Sequence, residues 1–212
     1  IGGLDLWLSK LDSNGNTVWH KTPGGSHWEG SYAFVRKFRE NRYVVVTTTR
    51  STDGDVINPY PSGIDYPWLF MIDEAGTILW QKVFRDTMFQ TIRDVQVTLN
   101  NEILIAGYRI NGNTVARLLR TDSLGNIKLL KNYAKTNRSL TFYSGVVNAD
   151  STFLFAGESY GGSATDQYCY GDHPEREVWL IKLDKSLNPI WEKYYGGDKD
   201  ETPYNIIKDA GG

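Results

Sequence analysis

"LWLSKLDSNGNTVWHK" (Leu6 to Lys21) decides the fold. An alternating apolar run meets Asp12, the chain turns through Gly15, and a tryptophan, Trp19, stands seven residues beyond the Asp. An Asp opening a turn accepts hydrogen bonds from backbone two residues on, and a Gly three places later takes a left-handed conformation without steric cost. The stretch therefore predicts a β-hairpin with a bulge, carrying Trp19 on its second strand. A large ring there packs between neighbouring sheets while its indole N–H seeks a carbonyl.

The same arrangement returns three times, as "PWLFMIDEAGTILWQK" (67–82), "VARLLRTDSLGNIKLLK" (115–131) and "VWLIKLDKSLNPIWEK" (178–193). The anchors are Asp12, Gly15 and Trp19; Asp73, Gly76 and Trp80; Asp122 and Gly125; and Asp184 and Trp191. The third copy has Leu129 for the tryptophan, and the fourth has Leu187 for the glycine. Within each period, runs alternating apolar and polar are broken by turn residues and enriched in β-branched and aromatic side chains, which argues for strands. Four short strands per period of roughly 40 to 60 residues is the pattern of propeller blades. The expectation is an all-β chain of β-propeller type with four-stranded antiparallel blades. The repeats cover approximately 4–52, 66–110, 114–160 and 177–212. Fifteen strands are expected, the last in "YNIIKD" (204–209), so the fourth repeat is one strand short and the chain reads as a segment of a larger propeller. The rival architectures are a closed four-bladed ring and a β-sandwich, and a sandwich has no need of a copied Asp-to-Trp spacing.

The string "DLWLSKLDSNGNTVWHKTPGG" (5–25), the strand "RYVVVTTT" and the loop "RSTDGDV" (50–56) resemble the propeller-type repeats of secreted and cell-surface Bacteroidetes proteins. Those repeats carry D-x-W-x-x-K-L-D-x-x-G-x-x-x-W-x-K-x-x-G-G, an apolar strand ending in A-G, and S-x-D-G-D-V, and many of the proteins end in a type IX secretion sorting domain. Ala106–Gly107 and Ala156–Gly157 supply the A-G ending, and Gly196–Gly197 restores the Gly pair. The first repeat departs with Thr47–Thr48, and the third with Arg117 for the first-strand Trp. The resemblance implies an extracellular or cell-surface location. The Gly-to-Trp spacing is also similar to that of quinoprotein dehydrogenase propellers, but their pair of adjacent cysteines is impossible with Cys169 as the single cysteine.

A formal net charge of -2 with no basic run argues against nucleic acid. No apolar stretch reaches the roughly 18 residues of a membrane helix. One cysteine builds neither a disulfide framework nor a Cys-rich zinc site. Of the histidines, His20 takes an outward strand position, while His27 and His173 lie in loops with no metal-ligand spacing. No cofactor is expected, with one reservation: Asp53 and Asp55 flank Gly54 and offer hard oxygens suited to calcium, although an Asp–Gly turn explains the same letters. The Tyr-rich loops 50–67 and 158–178 are expected to connect blades and to form a rim for a protein or glycan partner, with Tyr60, Tyr66, Tyr160, Tyr168 and Tyr170 as contacts. A non-enzymatic scaffold or binding module within a larger assembly is the leading expectation. The alternative is a glycan hydrolase or lyase using Asp166, Asp172 and Glu175.

Overall fold

A computed structural model describes residues 3–30, 32–85, 89, 91–161, 176–197 and 199–209. The fold is all-β, as the repeats predict, with fourteen strands and no helix among the described residues. Among the described residues no helix is therefore long and apolar enough to cross a membrane. The chain divides into two compact units, Ile1–Met88 and Phe89–Gly212.

In the first unit, β1 (Leu8–Leu11) and β2 (Thr17–Lys21) form a two-stranded sheet. Strands β3 (Phe34–Arg39), β4 (Arg42–Thr49), β5 (Tyr66–Asp73) and β6 (Ile78–Val83) form a four-stranded antiparallel sheet in chain order. Strand β5 is buried along almost its whole length, as its unbroken apolar run requires. Its alternate residues Trp68, Phe70 and Ile72 join Leu6 and Val45 in one core, against which Leu8 and Trp19 pack.

The second unit holds two further four-stranded antiparallel sheets of the blade kind. One comprises β7 (Thr91–Val97), β8 (Ile103–Asn111), β9 (Asn113–Thr121) and β10 (Ile127–Tyr133); the other comprises β11 (Ser139–Val147), β12 (Phe153–Tyr160), β13 (Arg176–Leu183) and β14 (Pro189–Tyr195). Their shared core takes Leu104, Ala106 and Leu118 from one sheet and Phe142, Trp179 and Ile181 from the other. Phe142 stacks on Trp179 at 5.1 Å between centroids, and Asp94 of β7 accepts the Gly145 N–H of β11 at 2.8 Å.

The sheets are two strands out of phase with the sequence repeats. Each takes the last two strands of one repeat and the Asp-turn hairpin of the next, because β4 bonds to β5, β8 to β9 and β12 to β13 across the repeat boundaries. The loop 50–65 therefore connects two strands of one sheet, not one blade to another, and β12 and β13, on either side of the other expected connector, likewise pair within one sheet. The expected strand at 204–209 is not formed. That segment touches β11 through side chains, where Ser144 donates to Asn205 and the Tyr143 and Tyr204 rings meet edge-on at 6.3 Å, while Thr202 just before it donates to Glu158 of β12.

The Asp turns form as read. Asp12, Asp73, Asp122 and Asp184 each accept the backbone N–H two and four residues on at 2.8–2.9 Å. The +3 residue is left-handed in all four copies, with φ of 84° at Gly15, 76° at Gly76, 78° at Gly125 and 63° at Leu187. Trp19 then docks on the next hairpin: its indole N–H donates to the Glu74 carbonyl at 3.0 Å, and its ring covers Gly76 so closely that an added Cβ would meet it at 3.0 Å.

At the third and fourth copies the same docking is shared among several residues instead of one tryptophan, with Tyr133 donating to the Leu187 carbonyl at 2.8 Å and Lys131 to the Asn188 side chain at 2.6 Å. Leu129 packs against the core cluster that contains Leu187, and its cross-strand partner Arg120 donates to the Lys185 carbonyl at 2.7 Å. Lys185, like Glu74, follows its turn Asp by one residue. Ring and glycine have become two leucines, and the indole donor has become a guanidinium. Trp191 has no following turn among the described residues and stands 36% exposed, with the Lys193 ammonium over its ring.

The fully buried tryptophans are those of the first hairpin strand, Trp68 and Trp179, whose indole N–H groups donate to Gln81 and Glu192 thirteen residues on. In the first copy the matching pair is Trp7 and His20, both exposed. The A-G endings have a local cause as well. Gly107 and Gly157 sit opposite β-bulges at Arg93 and Tyr143, where a side chain would strike the Thr91 or Thr141 carbonyl. The pairing of β3 with β4 reaches only Val46, short of Thr47–Thr48, where the Thr47 hydroxyl instead donates to the Tyr32 carbonyl.

Candidate functional site

Loop 50–65 of the first unit is held in shape by the Gly pair it meets. Asp53 accepts the Ser26 N–H at 2.7 Å, Asp55 accepts the Gly24 N–H at 3.3 Å, and Ser51 accepts the His27 N–H at 2.9 Å. Glu29, buried beneath them, accepts the Gly25 N–H and the Thr49 hydroxyl. A side chain at Gly25 would collide with Asp53 and Ser51, so the pair must be glycine for the two segments to touch. Gly197 repeats the device in the second unit, donating its N–H to Glu201 four residues on at 3.1 Å. Gln81 ties down the loop's middle by donating to the Asp55 carbonyl and accepting the Ile57 N–H.

These bonds bear on calcium. The Asp53 carboxyl is held below its ordinary pKa mainly by the Ser26 backbone N–H, and Asp55 likewise spends an oxygen on backbone. A cavity of about 270 Å³ lies beside them, bordered by Asp5, Thr22 and the Gly24–Ser26 segment. Among the described residues no three His, Cys, Asp or Glu side chains converge as metal ligands. Asp53 and Asp55 fold the loop.

The expected tyrosine contacts divide. Tyr66 is only 5% exposed at the start of β5 and packs against Tyr60 at 5.4 Å, so its ring serves the loop's footing instead of a partner. Tyr60 is half-buried, with the Arg85 guanidinium 5.7 Å from its ring. Tyr160 at the end of β12 is exposed, with Arg176 over it at 5.9 Å. Tyr168 and Tyr170 lie outside the described residues, as do Asp166, Cys169, Asp172, His173 and Glu175.

The strongest exposed constellation is one the sequence reading passed over. Trp28 stands 50% exposed, and the Arg50 guanidinium lies 5.4 Å from its ring centroid. Arg50 also donates Nε and Nη2 to the two oxygens of Asp65, at 2.9 and 2.8 Å. That bidentate bond raises the Arg50 pKa further above its ordinary value. Short antiparallel pairing fixes the arrangement, since the Arg50 N–H donates to the Trp28 carbonyl and Gly30 N–H to the Thr48 carbonyl. Arg50 and Asp65 thus clamp the two ends of the loop beside an open indole. The available signal was a tryptophan outside the Asp-to-Trp register, in "GGSHWEG".

No family model matches the chain, and no curated protein does. The site's chemistry therefore has to be argued from its own residues. An exposed aromatic face beside a planar donor–acceptor pair can hold a ligand by stacking and by directed hydrogen bonds.

Proposed function

We propose that this chain is a non-enzymatic binding module of propeller type, offering a loop rim to a protein or glycan partner within a larger assembly. On the resemblance of its repeats, that assembly belongs to a secreted or cell-surface protein. The observation that carries the reading is the open Trp28 beside the Arg50–Asp65 pair, on a loop already ordered by Ser51, Asp53, Asp55 and Gln81. A loop ordered before binding loses little conformational entropy when a partner arrives, so its exposed contacts convert more fully into affinity.

The test immobilises the purified protein and challenges it with purified cell-envelope proteins and with polysaccharides, measuring retention and turnover together. Retention without turnover, lost on Trp28→Ala, is the expected result. Cleavage of a polysaccharide, or retention indifferent to Trp28, would overturn the proposal.

A further inference from the structure

The rim's chemistry narrows the partner class, on the reading of Trp28 and its neighbours as a binding surface. We infer that Trp28, Arg50 and Asp65 form a subsite for one neutral pyranose unit of a glycan, the indole stacking on the sugar's C–H face and the ion pair gripping two adjacent hydroxyls.

Three features carry this. First, the ring is open yet fixed: its pyrrole edge lies against Gly3, where any side chain would collide, and Arg50 sits over the ring. Trp28 therefore offers apolar area that needs no reordering. Second, the pair keeps hydrogen-bonding capacity of both signs. Asp65 takes two of the five guanidinium N–H groups, leaving the others for acceptors, while its oxygens keep lone pairs for donors. A vicinal diol is donor and acceptor at adjacent positions, and a planar Arg–carboxylate pair is its complement. Third, the pair is neutral overall and both side chains are substantially open, at 37% and 43% exposure. Uronic or sulfated sugars gain nothing there over neutral ones.

A protein partner fits less well. Protein hot spots set tryptophan in a desolvated pocket ringed by contacts that exclude water. Seating a protein over Trp28 would cover an ion pair whose remaining donors and acceptors then require matched partners.

The experiment uses the full chain and neutral hexasaccharides of glucose, mannose and N-acetylglucosamine, with polygalacturonate as the charged comparison. Binding is read by tryptophan fluorescence and calorimetry. At least one neutral hexasaccharide is expected to bind. Trp28→Ala should weaken it tenfold or more, Asp65→Asn about tenfold, and Trp28→Phe less than Trp28→Ala, with circular dichroism unchanged. Three results would overturn the inference: no binding by any neutral oligosaccharide, binding of polygalacturonate alone with loss in salt, or sugar binding unaltered in Trp28→Ala. If the Trp28 variants lose a purified protein partner while no sugar binds, the sugar subsite falls and the binding-module reading survives. If neither binding depends on Trp28, both fall.

Discussion

Leu187→Gly restores the residue found at the same turn position in the other three repeats, yet it should destabilise the protein. The leucine holds φ at 63°, a left-handed conformation that costs a non-glycine residue about 1–2 kcal/mol. It is nevertheless fully buried within the core shared by the two sheets of the second unit. Truncating a buried leucine costs about 2.7–5 kcal/mol, so relief of the turn offsets only part, and a net loss of about 2–3 kcal/mol is expected. Leu129→Trp alone forces a larger ring toward a filled space and should cost about 1–3 kcal/mol. Combined, the two changes rebuild the Trp19-on-Gly76 pairing, with the new indole N–H directed at the Lys185 carbonyl that Arg120 now holds. The double variant should therefore be more stable than the sum of the singles by at least about 1.5 kcal/mol. Urea unfolding followed by circular dichroism measures all four corners of the cycle. Additivity within about 0.5 kcal/mol, or a stabilising Leu187→Gly, would refute the claim that two leucines replace one ring and one glycine.

Gly15→Ala meets only the cost of its φ, about 1–2 kcal/mol, because nothing lies within 4 Å of the added carbon. Gly76→Ala has nearly the same φ with the Trp19 ring at 3.0 Å, so it should cost more in urea melts and shift Trp19 fluorescence. Glu177→Gln replaces one carboxylate beside Arg138, a guanidinium 1% exposed and 3.0 Å away that also donates to Ser159, and should lower stability by about 1–3 kcal/mol in the same assay. Finally, Asp12, Asp73, Asp122 and Asp184 all have pKa values lowered by turn hydrogen bonds. Their stabilisation is complete above the unfolded value near 4 and fades as pH falls through the lower folded values. Melting temperature should therefore drop below about pH 4, and more shallowly once these residues are Asn.

The turns were legible because their chemistry is local: an Asp, its N–H donors and a left-handed residue lie within five positions. The partition into sheets was not, because it is decided by β4 bonding to β5 and β12 to β13 across loops that carry no pairing signal of their own. The sequence also drew attention to the +7 tryptophans, when the deepest ones, Trp68 and Trp179, belong to the first strand and announce themselves only through Gln81 and Glu192. At the rim, Asp53 and Asp55 read equally as ion ligands or turn formers, and the Gly24 and Ser26 N–H groups that engage them come from a distant segment. Trp28 and the Arg50–Asp65 pair meet only once loop 50–65 has closed, so no short motif joins them.

Backbone NMR of the labelled protein tests the arrangement of repeats most directly. Cross-strand contacts should join Val45 to Phe70, Ile105 to Leu119 and Phe155 to Ile181, the pairings that bridge successive repeats. Their absence, with contacts joining β2 to β3 and β6 to β7 in their place, would contradict the account.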